Sequence, residues 1–280
     1  MTKKALIAGW GQLPRLWAEK AAAQAENFIV IKIAEEITAE FSDLDCAEYT
    51  VNLTQLGEIL QILEEEEIEE AIWLGKIQKA HLFNDFNPDQ KLQQLLKQLP
   101  ELNDDTILMA LALEFINSGV KILPQTYLLE EQLAEPGILA GKVDSELKRD
   151  LVFAFETAYN LGRFDIGQTA LVKGGAVMAL EAIEGTDEAI KRAAKFGGPG
   201  IVMAKCSKRN QDIRFDLPTV GLKTLENLIE AEAGALIIEA DKTFILNKEE
   251  FCRRAAAEGI VVAAAEYNNC LLYTSPSPRD

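Results

Sequence analysis

Two rhythms of apolar position alternate along this chain, and the switches between them predict its elements. Short continuous apolar runs, KKALIA, FIVIKI, AIWLGK and VKIL, read as buried strands. Between them the apolar positions fall to helical spacing. LPRLWAEKAAAQA carries Leu and Ala in helical rhythm behind Pro14, which suits a first helical position. LTQLGEILQILEEEE sets Leu56, Ile59, Leu60 and Leu63 on one face, with Thr54 as the expected cap and Glu64–Glu67 as a solvated end. Helices are also predicted around Asp89–Gln98 and Asp104–Asn117, the second with Ile107, Leu108, Leu111 and Phe115 as its apolar face and Gly119 as its stop. Strand and helix in alternation imply a doubly wound parallel sheet.

The rhythm breaks at AEPGILAGK, where Pro136, Gly137 and Gly141 mark the expected boundary between a domain over residues 1–134 and another over 135–267. Beyond it Ser145–Asn160 reads as a helix. QTALVK and AVMALEAI, joined at Gly174-Gly175, read as a hairpin, so this domain is expected to be α+β with antiparallel strands. DEAIKRAAKF follows as a helix with Thr186 as its expected cap and Asp187 and Glu188 favourable in its first turn. GIVMAK, ALIIEA, TFIL and GIVVAAA read as strands, with helices at LKTLENLIEAEAG and around Lys248–Glu258. From Asn268 the pattern fails. NNCLLYTSPSPRD has no periodicity and its Ser-Pro-Ser-Pro end resembles translated vector sequence, so residues 268–280 are set aside.

Chemistry concentrates in a few places. Gly9-Trp10-Gly11-Gln12-Leu13-Pro14 joins the first strand to the first helix with two glycines of G-x-G-x-x-G, but Pro14 stands in place of the third. That departure favours a tight turn at Gly9 and Gly11 over a dinucleotide site, although Glu35-Glu36, closing FIVIKI, stand where a ribose would be met. Gly75 ends AIWLGK at the carboxyl edge, where open α/β sheets take ligands. Lys76 beside it is a candidate phosphate contact and equally a solvated lysine.

The stretch KCSKRNQDIRFDLPTVG, Lys205–Gly221, organises the second half. Taken as extended chain, it points Asp212, Arg214 and Asp216 one way and Ile213, Phe215 and Leu217 the other, with Pro218 closing the strand. Two carboxylates about a guanidinium suit a hard cation and a phosphate, and suit a surface ion-pair ladder equally well. Lys205 and Lys208 can counter a diphosphate or remain solvated. Asp187, at a helix start, is accounted for by capping alone or by facing phosphates through a metal.

Composition narrows the classes. Lys and Arg number 28 against 45 Asp and Glu, a net charge of −17, which argues against nucleic acid and against general adhesion to an anionic membrane. Cys46, Cys206, Cys252 and Cys270 are scattered without a CxxC pair, which fits a reducing cytoplasm. His81 is the only histidine, excluding multi-histidine metal sites, and reads as an ordinary loop residue. No signal peptide precedes Met1–Lys4 and no apolar run is long enough for a bilayer.

QDIRFDLPTVG, DIGQ at Asp165–Gln168, IEGTD at Ile183–Asp187 and the N-terminal AGWGQLP together resemble the UDP-2,3-diacylglucosamine pyrophosphatases of lipid A biosynthesis, of the metal-dependent type rather than the calcineurin-like type. The resemblance runs from about Lys4 to about Ala265. It implies an N-terminal Rossmann-like domain with a parallel sheet, a C-terminal catalytic and lipid-binding domain, and lipid substrate between them. It also implies hydrolysis of UDP-2,3-diacylglucosamine to UMP and 2,3-diacylglucosamine 1-phosphate (lipid X), with Mg2+. On that basis Asp216 is the expected essential carboxylate, as metal ligand or as base, with Asp212 and Asp187 as further ligands. Arg214 is the expected diphosphate clamp, and Gln168, Lys205, Gly9, Gly11 and Gly75 are expected substrate contacts. A second copy of the chain and a transient contact with the inner membrane are expected partners of this cytoplasmic protein. A non-catalytic carrier of a sugar nucleotide or lipid, and a nicotinamide-dependent reductase suggested by the GxG turn, are the competing readings.

Overall fold

The computed structural model describes residues 2–34, 36–76, 88–100, 104–164, 166–208 and 212–267. The expectations for Glu35, His81, Asp165, Cys270 and the tail lie outside the described residues. The chain forms two units, Met1–Leu129 with Asp212–Asp216, and Glu130–Gln211 with Leu217–Asp280.

The first unit runs β1 (Lys4–Ala8), α1 (Leu13–Ala23), β2 (Phe28–Ile33), β3 (Ala47–Val51), α2 (Leu56–Glu65), β4 (Glu70–Leu74), α3 (Gln90–Lys97), α4 (Asp104–Asn117) and β5 (Lys121–Ile122). Its sheet has the order β3-β2-β1-β4-β5 with every neighbouring pair parallel. β1 is buried along its whole length, as a central strand covered on both faces must be. Ala5, Ile7, Ile29 and Ile31 join Leu56, Ile59, Ile62 and Leu63 of α2, Leu92 of α3 and Phe115 of α4 in one cluster. The alternate residues Leu6 and Val30 are equally buried, and Trp17 of α1 meets Phe28 edge-on at 5.5 Å.

One strand is unforeseen here and one expected cap changes. AEYTV forms β3 without an apolar run, because an edge strand buries little and only Val51 is enclosed. Thr54 is not the cap of α2: the helix begins after Gln55, and the Gly57 N–H donates to Asp89 Oδ2 at 2.5 Å. The other oxygen of Asp89 accepts from Leu92 N–H at 2.8 Å, so one carboxylate serves the starts of two helices.

The second unit runs β6 (Gly137–Ala140), α5 (Ser145–Gly162), β7 (Thr169–Lys173), β8 (Ala176–Leu180), α6 (Thr186–Gly197), β9 (Val202–Lys205), β10 (Thr219–Val220), α7 (Leu222–Glu230), β11 (Ala235–Glu239), β12 (Phe244–Ile245), α8 (Lys248–Ala257) and β13 (Val261–Ala265). The order of its main sheet is β6-β13-β11-β9-β7-β8. β9, β11 and β13 are parallel, whereas β6 and the hairpin β7–β8 add antiparallel edges. β10 and β12 pair separately in parallel. Ala170, Val172, Ala204 and Ile237 pack against α5, while Leu171, Met203, Leu236 and Ile238 face α6, α7 and α8. AEPGILAGK, read as a break, contains β6, whose register with β13 shifts between Val262 and Ala263. Asp150 of α5 fixes the hairpin turn by accepting the Gly174 and Gly175 N–H groups at 2.6 and 2.8 Å. Among the described residues no helix is long and apolar enough to cross a membrane.

Candidate functional site

At the carboxyl edge of the first unit's sheet, the chain leaving β1 is bound to the chain leaving β4. Gly9 N–H donates to Leu74 O at 2.9 Å, Trp10 N–H to Lys76 O at 2.9 Å, and Lys76 N–H to Trp10 O at 2.8 Å. This approach requires glycine. A Cβ on Gly75 would lie 2.7 Å from the carbonyl carbon of Gly9, and Gly75 has φ +89°. Gly11 has φ +112° and turns the chain into α1, whose first turn holds no acidic residue. Lys76 is exposed beside this turn.

Asp212–Asp216 form a turn of the first unit, not the expected strand of the second. The alternation of apolar and polar residues misleads because Asp212 satisfies the backbone locally. Its Oδ1 accepts from Arg214 N–H at 3.0 Å, and its carbonyl from Phe215 N–H at 2.9 Å. Ile213 consequently points to solvent, while Phe215 is buried against Trp73 and Leu217 is buried. Gln125, itself buried, donates its backbone N–H to Ile213 O and its side-chain amide to Trp73 O, both at 2.8 Å. The turn is therefore fastened to β4 and to the chain beyond β5.

Within the turn Asp212 grips Arg214 along one edge of the guanidinium. Nε lies 2.9 and 3.1 Å from the two carboxylate oxygens, and one Nη lies 2.6 Å from Oδ2. The hydrogen bond from Arg214 outweighs the opposing effect of burial and holds the Asp212 carboxyl below its ordinary range, while the same bond raises the guanidinium. The guanidinium also lies over the Phe215 ring at 5.3 Å. Asp216 is exposed and left-handed, with φ +51°.

The second unit gathers a separate polar group. Lys205 Nζ, at the end of β9, lies 3.2 Å from Thr219 O and 3.4 Å from Thr186 Oγ1. Thr186 is not the cap of α6. Gly185 holds that place with φ +83°, and the Thr186 hydroxyl instead donates to Glu181 at 2.8 Å. Both oxygens of Asp187 are engaged, one by Asn227 at 2.8 Å and the other by Lys223 at 2.9 Å. Gln168 is held through its backbone, its N–H reaching Glu181 at 3.3 Å and its carbonyl accepting from Cys206 N–H at 3.0 Å.

Comparison with known proteins decides the family. Residues 3–132 match the description "LpxI N-terminal domain", and residues 135–263 match "LpxI C-terminal domain". A protein of Caulobacter vibrioides named UDP-2,3-diacylglucosamine pyrophosphatase LpxI is 30% identical over 289 aligned positions, which cover 95% of this chain and 98% of that protein. The chain belongs to the LpxI family.

In this LpxI-family chain the expected site residues fall into two groups. Gly9, Gly11, Gly75, Asp212, Arg214 and Asp216 belong to the first unit, and Gln168, Asp187 and Lys205 to the second. Among the described residues no group of three or more His, Cys, Asp or Glu side chains is placed to hold a metal. Asp212 and Asp187, expected as metal ligands, have their oxygens occupied by Arg214 and by Lys223 with Asn227. Gln125, Lys223 and Asn227 escape a linear reading because each acts across a long separation. Asn227 lies 40 positions from Asp187, and Gln125 lies 52 from Trp73.

Proposed function

We propose that this chain hydrolyses the diphosphate bridge of UDP-2,3-diacylglucosamine, releasing UMP and 2,3-diacylglucosamine 1-phosphate. The observation that carries this reading is the near full-length match to a pyrophosphatase named for that substrate. The geometry of the Asp212–Asp216 turn supports it. A guanidinium has two two-pronged edges, and Asp212 occupies only the one containing Nε. The other edge, where one Nη meets the Met109 sulfur at 3.8 Å, keeps the planar geometry that a phosphate takes. Asp212 thus acts as a positioning residue that stiffens and aims Arg214. The exposed Asp216 carboxylate is the essential acidic group. It orients the attacking water and takes its proton as the new O–P bond forms and the bridging O–P bond breaks.

Magnesium belongs to this reading. The expected donors are carboxylate oxygens alone, which suits a hard cation. Magnesium is ordinarily bound by one or two carboxylates, with substrate phosphates and water completing the shell, so Asp216 without a preformed cluster fits it. When bound, the ion would offset the charge of the diphosphate. Asp212 serves better with Arg214 than as its ligand. Among the described residues Cys46, Cys206 and Cys252 form no disulfide, which supports placing the protein in the cytoplasm.

The deciding experiment mixes the full chain with UDP-2,3-diacylglucosamine labelled in its uridine, with magnesium and with or without a chelator. UMP release that stops with the chelator supports the hydrolase and its metal. UMP release that persists with the chelator retains the hydrolase and removes the metal. Tight binding without turnover, or a requirement for a nicotinamide cofactor, would overturn the reading in favour of a carrier or a reductase.

A further inference from the structure

We propose that the indole of Trp10 is the platform on which the nucleobase of the substrate stacks. The inference rests on the uridine nucleotide substrate proposed above and assigns a residue to the recognition of its base.

Three observations converge on Trp10. The first is its place. β1 is followed outward by β2 and β3 on one side and by β4 and β5 on the other, so the strand order reverses between β1 and β4. Open α/β sheets take their ligands at the carboxyl ends of the strands at such a reversal. Trp10 follows β1 there and forms an isolated bridge with Lys76, which follows β4.

The second observation is rigidity. Trp10 both donates to and accepts from Lys76 through the backbone, at 2.9 and 2.8 Å, and Gly9 and Gly75 approach too closely for either to carry a Cβ. A stacking ring held on a fixed backbone loses less freedom on binding than one on a loose loop.

The third observation is exposure. Trp10 is 45% exposed, whereas Trp17 and Trp73, the other two tryptophans, are 0% and 7% exposed within the first unit's packing. Burial of their rings explains those two residues. It does not explain a large aromatic set between Gly9 and Gly11, where the backbone alone makes the turn. An exposed indole on a fixed backbone at this edge offers a face to any planar base. Stacking of a base on an aromatic side chain typically changes affinity by about 5- to 150-fold. Because every base has such a face, Trp10 contributes affinity without selecting uracil.

Trp10 also supplies the measurement. As the exposed tryptophan, it dominates acrylamide quenching of the intrinsic fluorescence of the full chain. UMP, the expected product, is the probe because it binds without turning over. UMP is expected to shield Trp10 from acrylamide. Trp10→Ala should raise the Kd for UMP at least about 5-fold, and Trp10→Phe should recover most of that loss. CMP should suffer the same change. Trp10→Ala should raise KM more than it lowers kcat, and should bind 2,3-diacylglucosamine 1-phosphate as the parent chain does. Unchanged UMP affinity in Trp10→Ala, or shielding by the lipid product but not by UMP, would overturn the assignment. Hydrolysis measured in parallel separates the two proposals. A parent chain that cleaves the substrate while Trp10→Ala binds UMP normally loses only the stacking role. A parent chain that neither cleaves the substrate nor binds UMP loses both.

Discussion

Phe215 meets Trp73 edge to face, with ring centroids 5.3 Å apart and planes inclined by 63°. Trp73 in turn meets Phe115 of α4 at 4.9 Å, so the turn that carries Asp212, Arg214 and Asp216 is anchored in the core of the first unit. Phe215→Ala would remove a ring that is 6% exposed. It should cost about 3–5 kcal/mol in unfolding experiments, and activity should fall as the turn loses its anchor. Phe215→Leu, which keeps much of the apolar volume, should lose less of both. An alanine variant as stable as its parent would show that this aromatic contact does not hold the turn.

Asp216→Asn changes charge while nearly preserving shape, and asparagine tolerates the left-handed backbone that φ +51° demands. The variant should fold with an unchanged melting temperature, retain substrate binding and lose hydrolysis by about 100-fold or more. Near-parental turnover would remove Asp216 from the mechanism.

Arg214→Lys tests the two-edged guanidinium. An ammonium can pair with Asp212 but cannot at the same time present a second planar fork to a phosphate. Loss of the two-pronged contact in this partly exposed ion pair should cost under about 1 kcal/mol of stability, while hydrolysis collapses. Parental kcat and KM in the lysine variant would return Arg214 to a purely structural role.

How much of this was legible depended on burial from both sides. β1, β2 and β4 announce themselves as apolar runs because the sheet is covered on both faces. β3 does not, because an edge strand can carry Glu48, Tyr49 and Thr50 at little cost. β6 hides behind Pro136 and Gly137, residues that usually mark loops. In the candidate site, the residue types around Asp212 were readable and their conformation was not. The run Asp-Ile-Arg-Phe-Asp-Leu alternates as a strand does, yet Asp212 supplies hydrogen bonds to its own neighbours that a strand would seek elsewhere. Thr186 failed as a cap for a related reason, since Glu181, five residues earlier, takes its hydroxyl.

The N-terminal edge of the first unit's sheet predicts a pH dependence. Lys4 Nζ, with a side chain only 7% exposed, lies 2.6 Å from Glu26, whose other oxygen accepts from the Tyr127 hydroxyl at 2.7 Å. Burial works to lower the lysine pKa, but the Glu26 hydrogen bond and the charges around it prevail and raise it. The hydrogen bonds from Lys4 and then Tyr127 lower Glu26. A lowered carboxyl contributes stability above its unfolded value, about 4.3, and loses that contribution as pH falls through the folded value. The raised lysine contributes below about 10.4 and loses its share as pH climbs through the folded value. Lys4→Met should therefore destabilise the protein at neutral pH and progressively less toward acid, where Glu26 is protonated and needs no partner. Melting temperatures of parent and variant compared at neutral and acid pH check this. A constant gap would refute the linkage.

Gly75 and Gly11 give the last prediction, because both have positive φ but differ in what surrounds them. Alanine at either position enters a backbone region unfavourable to L-residues, a strain of about 1–3 kcal/mol. At Gly11 nothing lies within 4 Å of the added Cβ, so that strain is the whole cost. At Gly75 the Cβ would lie 2.7 Å from Gly9 C and 2.8 Å from both Gly9 O and Trp10 O. These are backbone atoms, and they move only if the chains leaving β1 and β4 separate. Gly75→Ala should therefore lower the melting temperature clearly more than Gly11→Ala does. It should also alter the fluorescence of the exposed Trp10, since separation breaks the pair of hydrogen bonds between Trp10 and Lys76. Equal melting temperatures in the two alanine variants would mean that the close approach at Gly75 can relax, and that this edge is not held rigid by its glycines.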